Sequence, residues 1–441
     1  MPAWSPDFPI SPRRAPFFYG WIIVAVATLG IVFSIPGQTM GFSVFTDILI
    51  RELGLSRVEL STAYCVGTVL SGFTLPWLGR VFDRFGARKL IVGSAVSTGL
   101  VLYFLSTVHR LTEWLETVLP FLTGSTIAFI VISFGFYLIR VSAQGVLTMT
   151  SRNAIGKWFD YHRGTALAIS GTFTSFSFSI APKILDEMIN SFEWWGAWIA
   201  LGTASIFGMA LLGWVFLRDN PEECGLVMDG TLDASKKRKA HADSITHRDY
   251  SRKEAISTAA FWMFNLSFSF FALFTTAVTF HIVSLGEAFG RPKEDILNYF
   301  IPMALLSVAT NLLFGWISSQ TRLKYLLAVM NLAALAGVLG TLFLADGPGL
   351  LAYIVGNGIC GGAFAALGGI VWPRFFGRQN LGAISGISMS SIVIASGIGP
   401  LLFSLSFVSA GSYVPILWIS ALIPAALVAG SFRADNPQRQ G

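Results

Sequence analysis

Long apolar runs separated by short polar or charged stretches fill almost the whole chain. An apolar run of about 20 residues is long enough for one helix to cross the hydrocarbon of a bilayer. The runs predict spans over 18–46, 58–79, 89–108, 122–151, 163–185 and 195–217. They continue over 257–284, 294–319, 323–344, 349–374, 380–407 and 411–432. The expected fold class is therefore an all-α polytopic membrane protein of twelve transmembrane helices.

Composition agrees with the pattern. Hydrophobic residues make up 54% and charged residues 12%, about half the charge of an ordinary soluble domain. A soluble enzyme of this composition would leave too much apolar surface in water. The net charge of +6 has a positional explanation that needs no nucleic acid. The run "KKRK" at 236–239 lies between predicted spans and reads as a cytosolic loop under the positive-inside bias. Outer loops and helix ends hold only Arg51, Arg57, Arg110, Lys183, Arg291 and Lys293, and Arg140 belongs to neither side. The bias places both termini in the cytoplasm. Cys65, Cys224 and Cys360 are far apart and form neither metal spacing nor a disulfide framework. No nucleophile–base or metal constellation appears, so no enzyme activity and no cofactor is expected. The N-terminus lacks a short apolar core ending in a small-residue cleavage site, which predicts that the first span is retained.

The halves repeat one another. "LRDNP" at 217–221 closes the sixth span and "FRADNP" at 432–437 the twelfth, while "AISG" occurs at 168–171 and 383–386. "KWF" at 157–159 has "RFF" at 374–376 as its counterpart, and all three pairs share an offset near half the chain. This divides the protein into an N-terminal six-helix bundle, 1–217, a cytoplasmic linker, 218–256, and a C-terminal six-helix bundle, 257–441. The linker is polar and charged, so it is expected to be mobile or loosely helical. Residues 109–120, "HRLTEWLETVLP", have the spacing of an amphipathic helix lying along the outer interface.

After the second span comes "GRVFDRFGARK", residues 79–89. Gly79 permits close helix approach and Gly86 a turn that a Cβ would strain. Asp83 is placed to accept from helix N-terminal amides or a nearby arginine, with Arg84 and Arg88 beside it. This loop resembles the signature of the major facilitator superfamily, G-x-x-x-D-R-x-G-R/A-R/K. The resemblance implies that Asp83 and its arginines latch the cytosolic ends of two bundles during transport. In the second-half loop "GWISSQTRLK" (315–324), Ser319 replaces the aspartate, so any latch there is weaker or different. "FYGW", "RVSAQG", "KWFDYHRGTALAISG" and "RDNPEECGL" are similar to the monocarboxylate transporters and bacterial oxalate/formate antiporters. That branch implies a secondary transporter of small carboxylates. The chain departs from it by having no cationic residue in the eighth or eleventh span, which argues against a dicarboxylate.

Arg140 is the cation to explain. Counting back from Trp158, read as an aromatic at the cytosolic interface, places it roughly 27 Å up the helix. Three accounts stay open: snorkelling to the outer interface, a structural or gating partner within its own bundle, and contact with an anionic substrate. Gln144 shares its face, and Gly135 and Gly145 let other helices approach. Further cavity candidates are Tyr137, Gln38 and Thr39 near the break Pro36-Gly37, then Asn265, Asn311, Asn357 and Trp372 in the second bundle. Each asparagine reads more simply as a helix–helix hydrogen bond. His281 is the one histidine that could serve proton coupling, though a solvated helix end explains it as well. "GGAFAALGG" at 361–369 suits close helix packing and lacks the Lys-Ser/Thr of a phosphate loop.

The sequence thus predicts a secondary transporter of a small solute, best matched by an organic anion such as a monocarboxylate, working by alternating access. The alternatives are an exporter of a neutral or amphipathic molecule and a non-transporting membrane sensor. Expected partners are the solute, the lipid bilayer and a coupling ion or counter-substrate. The expected setting is a bacterial inner membrane, with the protein as a monomer.

Overall fold

The computed structural model describes residues 4–230, 246–292 and 298–440. The basic run 236–239 and Lys293 lie outside them. Among the described residues, ten helices are long and apolar enough to cross a membrane. We label the main helices α1 (Gly20–Val32), α2 (Arg57–Ser106), α3 (Val108–Val118), α4 (Gly124–Trp158) and α5 (Arg163–Phe216). There follow α6 (Ala259–Phe280), α7 (Phe300–Ile317), α8 (Leu323–Leu342), α9 (Gly347–Phe376), α10 (Leu381–Ala410) and α11 (Val414–Ser431).

The two longest helices are each two spans joined end to end. In α2 the break is Gly86, at φ 83° and ψ 171°, and in α5 it is Glu193, at φ 61° and ψ 167°. Each half of these helices is of spanning length, so the ten helices supply twelve crossings. Local chemistry sets the ends. Ser56 and Glu59 form a capping box at the start of α2, satisfying two amides that have no partner within the helix. Thr123 and Thr258 cap α4 and α6 through their hydroxyls. α3 is the amphipathic helix expected over 109–120: Val108 and Thr112 are buried, while Trp114 is exposed.

By packing, the chain forms two compact units: Met1–Ile155 with Phe173–Val227, and Gly156–Thr172 with Met228–Gly441. The first unit's core gathers Phe42, Phe45, Phe136, Ile139 and Trp198. Here Phe42 meets Phe136 edge-on at 4.4 Å, and Phe45 lies 4.9 Å from Trp198. Small residues bring the helices together. A Cβ on Gly67 of α2 would lie 2.6 Å from the Phe136 Cβ, and one on Gly145 of α4 would lie 2.3 Å from Leu75. In the second unit, a Cβ on Gly340 of α8 would lie 2.2 Å from the Tyr353 amide nitrogen, and one on Gly362 of α9 would lie 2.3 Å from Ser307 O. Gly362 and Gly369 are therefore packing positions. Such close approach replaces the hydrophobic drive that lipid cannot provide.

Two expectations change. Trp158, read as an interfacial anchor, is fully buried. The linker's described flanks are tied down rather than loose. Asp219 accepts from the Arg88 amide, and Asp229 from the amides of Asp160, Tyr161 and His162. Asp249 accepts from the amides of Arg378 and Gln379. These three carboxylates cap helix starts, where a carboxylate is favoured by the free amides and the helix dipole.

Candidate functional site

The site begins where α1 stops. Pro36 cannot donate a backbone hydrogen bond, and the chain passes through a short 3-10 turn, Ile35–Gly37, before the helical turn Thr39–Ser43. The break frees a carbonyl inside the first unit: Arg140 Nη1 donates to Gly37 O at 3.1 Å. A Cβ on Gly37 would lie 2.6 Å from the Ala143 Cβ and 2.8 Å from Ile139 O, so only glycine lets the break seat against α4.

Opposite the break, α4 changes its winding. Residues Arg140–Leu147 form a π-helical stretch. This is the geometry that accommodates an extra residue within a helix and often marks a functional position.

Arg140 is 1% exposed. Its Nε donates to Thr68 Oγ1 at 3.1 Å, and its guanidinium carbon lies 4.9 Å from the Tyr64 ring centroid. Tyr64 in turn shares a 2.8 Å hydrogen bond with Thr39 Oγ1. A desolvated cation over an aromatic face gains about 2 kcal/mol. These contacts turn the side chain into its own unit, so it does not snorkel to an interface. They do not use all its donors: Arg140 Nη2 is buried with no partner, and so is Gln144 Oε1. Among the described residues no carboxylate pairs with Arg140.

Gln38 and Thr39 follow the same break directly. Gln38 Nε2 donates to Ser34 Oγ at 3.1 Å and to Thr148 Oγ1 at 3.4 Å. Tyr137 shares a 3.1 Å hydrogen bond with Thr74. Sequence reasoning missed Tyr64 and Thr68, which hold the arginine. A signal existed: Tyr64, Thr68 and Ser71 recur at the spacing of one helix face in an otherwise apolar span.

The second-half candidates do not converge on one another's polar atoms. Asn265 donates to Ser391 Oγ at 3.1 Å, Asn311 to Ala168 O at 3.0 Å, and Asn357 to Tyr353 O of its own helix at 2.9 Å. Trp372 is buried between aromatic rings, 5.2 Å from Phe261 and 6.2 Å from Phe376. His281 caps the end of α6, with Nε2 3.0 Å from Pro400 O and its ring 5.7 Å from Tyr413.

In the signature loop Gly79 is buried, Asp83 half-buried and Arg84 exposed over the Phe85 ring. A Cβ on Gly86 would lie 2.4 Å from the Asp219 carboxyl carbon. Arg88 is buried, donating to Trp214 O, to Ser5 O at 3.0 Å and to Phe8 O at 2.7 Å. The N-terminal residues 5–8 thus pack onto the signature arginine within the first unit.

Ten long apolar helices that supply twelve crossings make the chain a multi-pass integral membrane protein. The family model of the Major Facilitator Superfamily matches residues 22–356, and the chain belongs to that superfamily. Over 191 residues it is 25% identical to a probable sulfoacetate transporter, SauU, of Cupriavidus necator, a stretch that spans 42% of this chain and only 38% of that relative. Among solved structures, the human organic anion transporter MFSD10 aligns with TM-score 0.64 and 13% identity over 95% of this chain and 100% of its own. The proton:xylose symporter XylE aligns with TM-score 0.63 and 17% identity over 93% of this chain and 94% of its own. A bacterial homologue of ferroportin, in an outward-facing state, aligns with TM-score 0.68 and 10% identity over 93% of this chain and 98% of its own. At such identities these structures speak for the fold alone.

Proposed function

We propose that this transporter carries a small organic anion, of monocarboxylate size, and that Arg140 meets its charge. The observation that carries the reading is the buried Arg140 Nη2, which has no partner and no carboxylate to neutralise it. An unpaired buried donor costs about 1–3 kcal/mol, more when charged. An anion that accepts from Nη2 removes that cost and the net charge together. Gln144, whose Oε1 is also unpartnered, would accept from a hydroxyl of the same solute, with Gln38, Thr39 and Tyr137 at the rim. The similarity to a relative named for sulfoacetate, itself an organic anion, supports the class.

In this reading bundles 1–217 and 257–441 rock about linker 218–256, and Gly79, Asp83, Arg84, Gly86 and Arg88 serve the gate. Asn265, Asn311, Asn357 and Trp372 shape the second bundle's wall, and His281 is the candidate for proton coupling. The positive-inside bias supports cytoplasmic placement of both termini, and we read the protein as a monomer of a bacterial inner membrane. Uptake of a labelled panel of monocarboxylates, sulfonates and neutral solutes into proteoliposomes at two pH values tests this. Anions should be transported, and Arg140→Gln should lower their uptake at least tenfold, with Arg140→Lys between. Transport of neutral solutes alone, or full anion uptake by Arg140→Gln in correctly folded protein, overturns the reading.

A further inference from the structure

Tyr64 touches both the buried cation and the chain beyond the break in the first crossing. Its ring centroid lies 4.9 Å from the Arg140 guanidinium carbon, and its hydroxyl shares a 2.8 Å hydrogen bond with Thr39 Oγ1. Thr39 opens the helical turn Thr39–Ser43, and Phe42 of that turn stacks on the Tyr64 ring at 5.9 Å and 24°. Building on the anion reading above, we propose that Tyr64 is a positioning residue for transport. Its ring sets the Arg140 guanidinium for the anion, and its hydroxyl ties that setting to the turn after the break.

The ring is itself held in place. Phe136 of α4 meets it edge-on at 5.3 Å and 82°, and meets Phe42 at 4.4 Å and 84°. Edge-on and offset arrangements are the favoured ones for aromatic pairs, so α2, α4 and the turn each contribute a ring to one cluster beside the cation. The protein contacts of Arg140 differ in kind. The bonds from Nε to Thr68 Oγ1 and from Nη1 to Gly37 O are directional and weaken when the donor turns away. A ring face attracts a cation anywhere within about 6 Å of its centroid. The ring contact thus survives a small shift of the guanidinium toward an anion at Nη2.

The hydroxyl acts on the other partner. Thr39–Ser43 is a single short turn, and a helix of that length does not hold itself together in isolation. Its place depends on contacts such as the Tyr64–Thr39 pair and the Phe42 stack. Gly37, two residues before Thr39, already gives its carbonyl to the arginine. Arg140 therefore grips the chain before the turn directly and the turn itself through Tyr64. A charge bound at Arg140 reaches the first crossing by both routes, and Tyr64 is the one that a substitution can cut without touching the backbone.

The test separates ring from hydroxyl in the full-length protein. Uptake of labelled acetate, propionate and ethanesulfonate into proteoliposomes gives KM and Vmax. Tyr64→Phe keeps the ring, so KM should stay within about twofold while Vmax falls at least about threefold. Tyr64→Leu removes the ring as well and should raise KM at least about fivefold. Thr39→Val should lower Vmax as Tyr64→Phe does, and the double variant should lose no more than either alone, because both cut the same bond. Without any solute, hydrogen exchange of amides 40–43 should rise in Tyr64→Phe. Parent KM in Tyr64→Leu overturns the ring's role. Parent Vmax in Tyr64→Phe, losses that multiply in the double variant, or unchanged exchange overturns the hydroxyl tie. Where Tyr64→Leu fails to fold, Tyr64→Trp, which restores a larger ring face, takes its place and should keep KM near the parent; a KM raised as far as fivefold there overturns the ring's role. If none of the anions moves in the parent, the substrate reading fails and the ring's role falls with it, while the exchange result still decides the hydroxyl tie.

Discussion

Lys324 Nζ lies 2.7 Å from Asp435 Oδ1, at the position in the second half that Arg88 and Asp219 hold in the first. Lys324 is nine residues after Gly315, as Arg88 is nine after Gly79. Asp219 and Asp435 both follow the last helix of their half. Each half therefore returns a carboxylate from its end to the start of its third crossing. The chemistry differs: Asp219 accepts from the Arg88 backbone amide, whereas Asp435 pairs with a side chain.

That difference predicts unequal costs. Gly86→Ala forces a conformation that only glycine adopts readily, worth about 1–3 kcal/mol, and drives a Cβ into Asp219. Asp435→Ala removes a pair whose acid is 48% exposed, worth under about 1 kcal/mol. Thermal unfolding in detergent should show a clear drop for Gly86→Ala and almost none for Asp435→Ala.

Thr68→Val keeps the shape of the side chain but takes the acceptor from Arg140 Nε, leaving a second buried donor unpaired. The expected loss is about 1–3 kcal/mol, with Thr68→Ser near the parent. Unfolding midpoints of the two variants check this, and equal midpoints would remove Thr68 from the site.

Gly37→Ala places a methyl against Ala143 and the Ile139 carbonyl. Overpacking of this kind costs about 1–3 kcal/mol, and it displaces the Gly37 carbonyl that accepts from Arg140. Stability and anion uptake should fall together. A fall in stability with uptake intact would mean that the Gly37 carbonyl is dispensable to the arginine.

Cys224 lies outside the membrane-spanning helices and is 1% exposed. Burial pushes its thiol up to about 12, against about 8.5 for a free cysteine. The folded state thus holds its proton more tightly than the unfolded one. The resulting stability is present below about pH 8.5 and is lost as pH rises toward the folded value. Maleimide at pH 8 should label Cys224 only after unfolding, and rapid labelling of the folded chain would contradict its burial.

Much of this protein was legible along the chain because lipid imposes a simple rule. Every backbone polar group must be satisfied within its own helix, so span length and apolar content announce the helices directly. The break at Pro36-Gly37, the turn at Gly86 and the internal repeat were readable for the same reason: each departs from an apolar background. The linker's described flanks misled because their carboxylates signal loose chain in isolation, whereas Asp219, Asp229 and Asp249 each find amides far away in sequence. Arg140 could be singled out from sequence, but not its supports. Thr68 and Tyr64 are ordinary residues until α2 packs against α4.

The sequence by itself determined twelve apolar crossings, the twofold repeat and one stranded cation, since these depend on hydropathy and local backbone preference. The tertiary structure alone decided which donors of that cation are satisfied, that α4 winds as a π-helix over Arg140–Leu147, and that Gly156–Thr172 packs with the second unit. Those outcomes depend on approach distances between helices, set by glycines such as Gly37 and Gly164 against partners more than a hundred residues away.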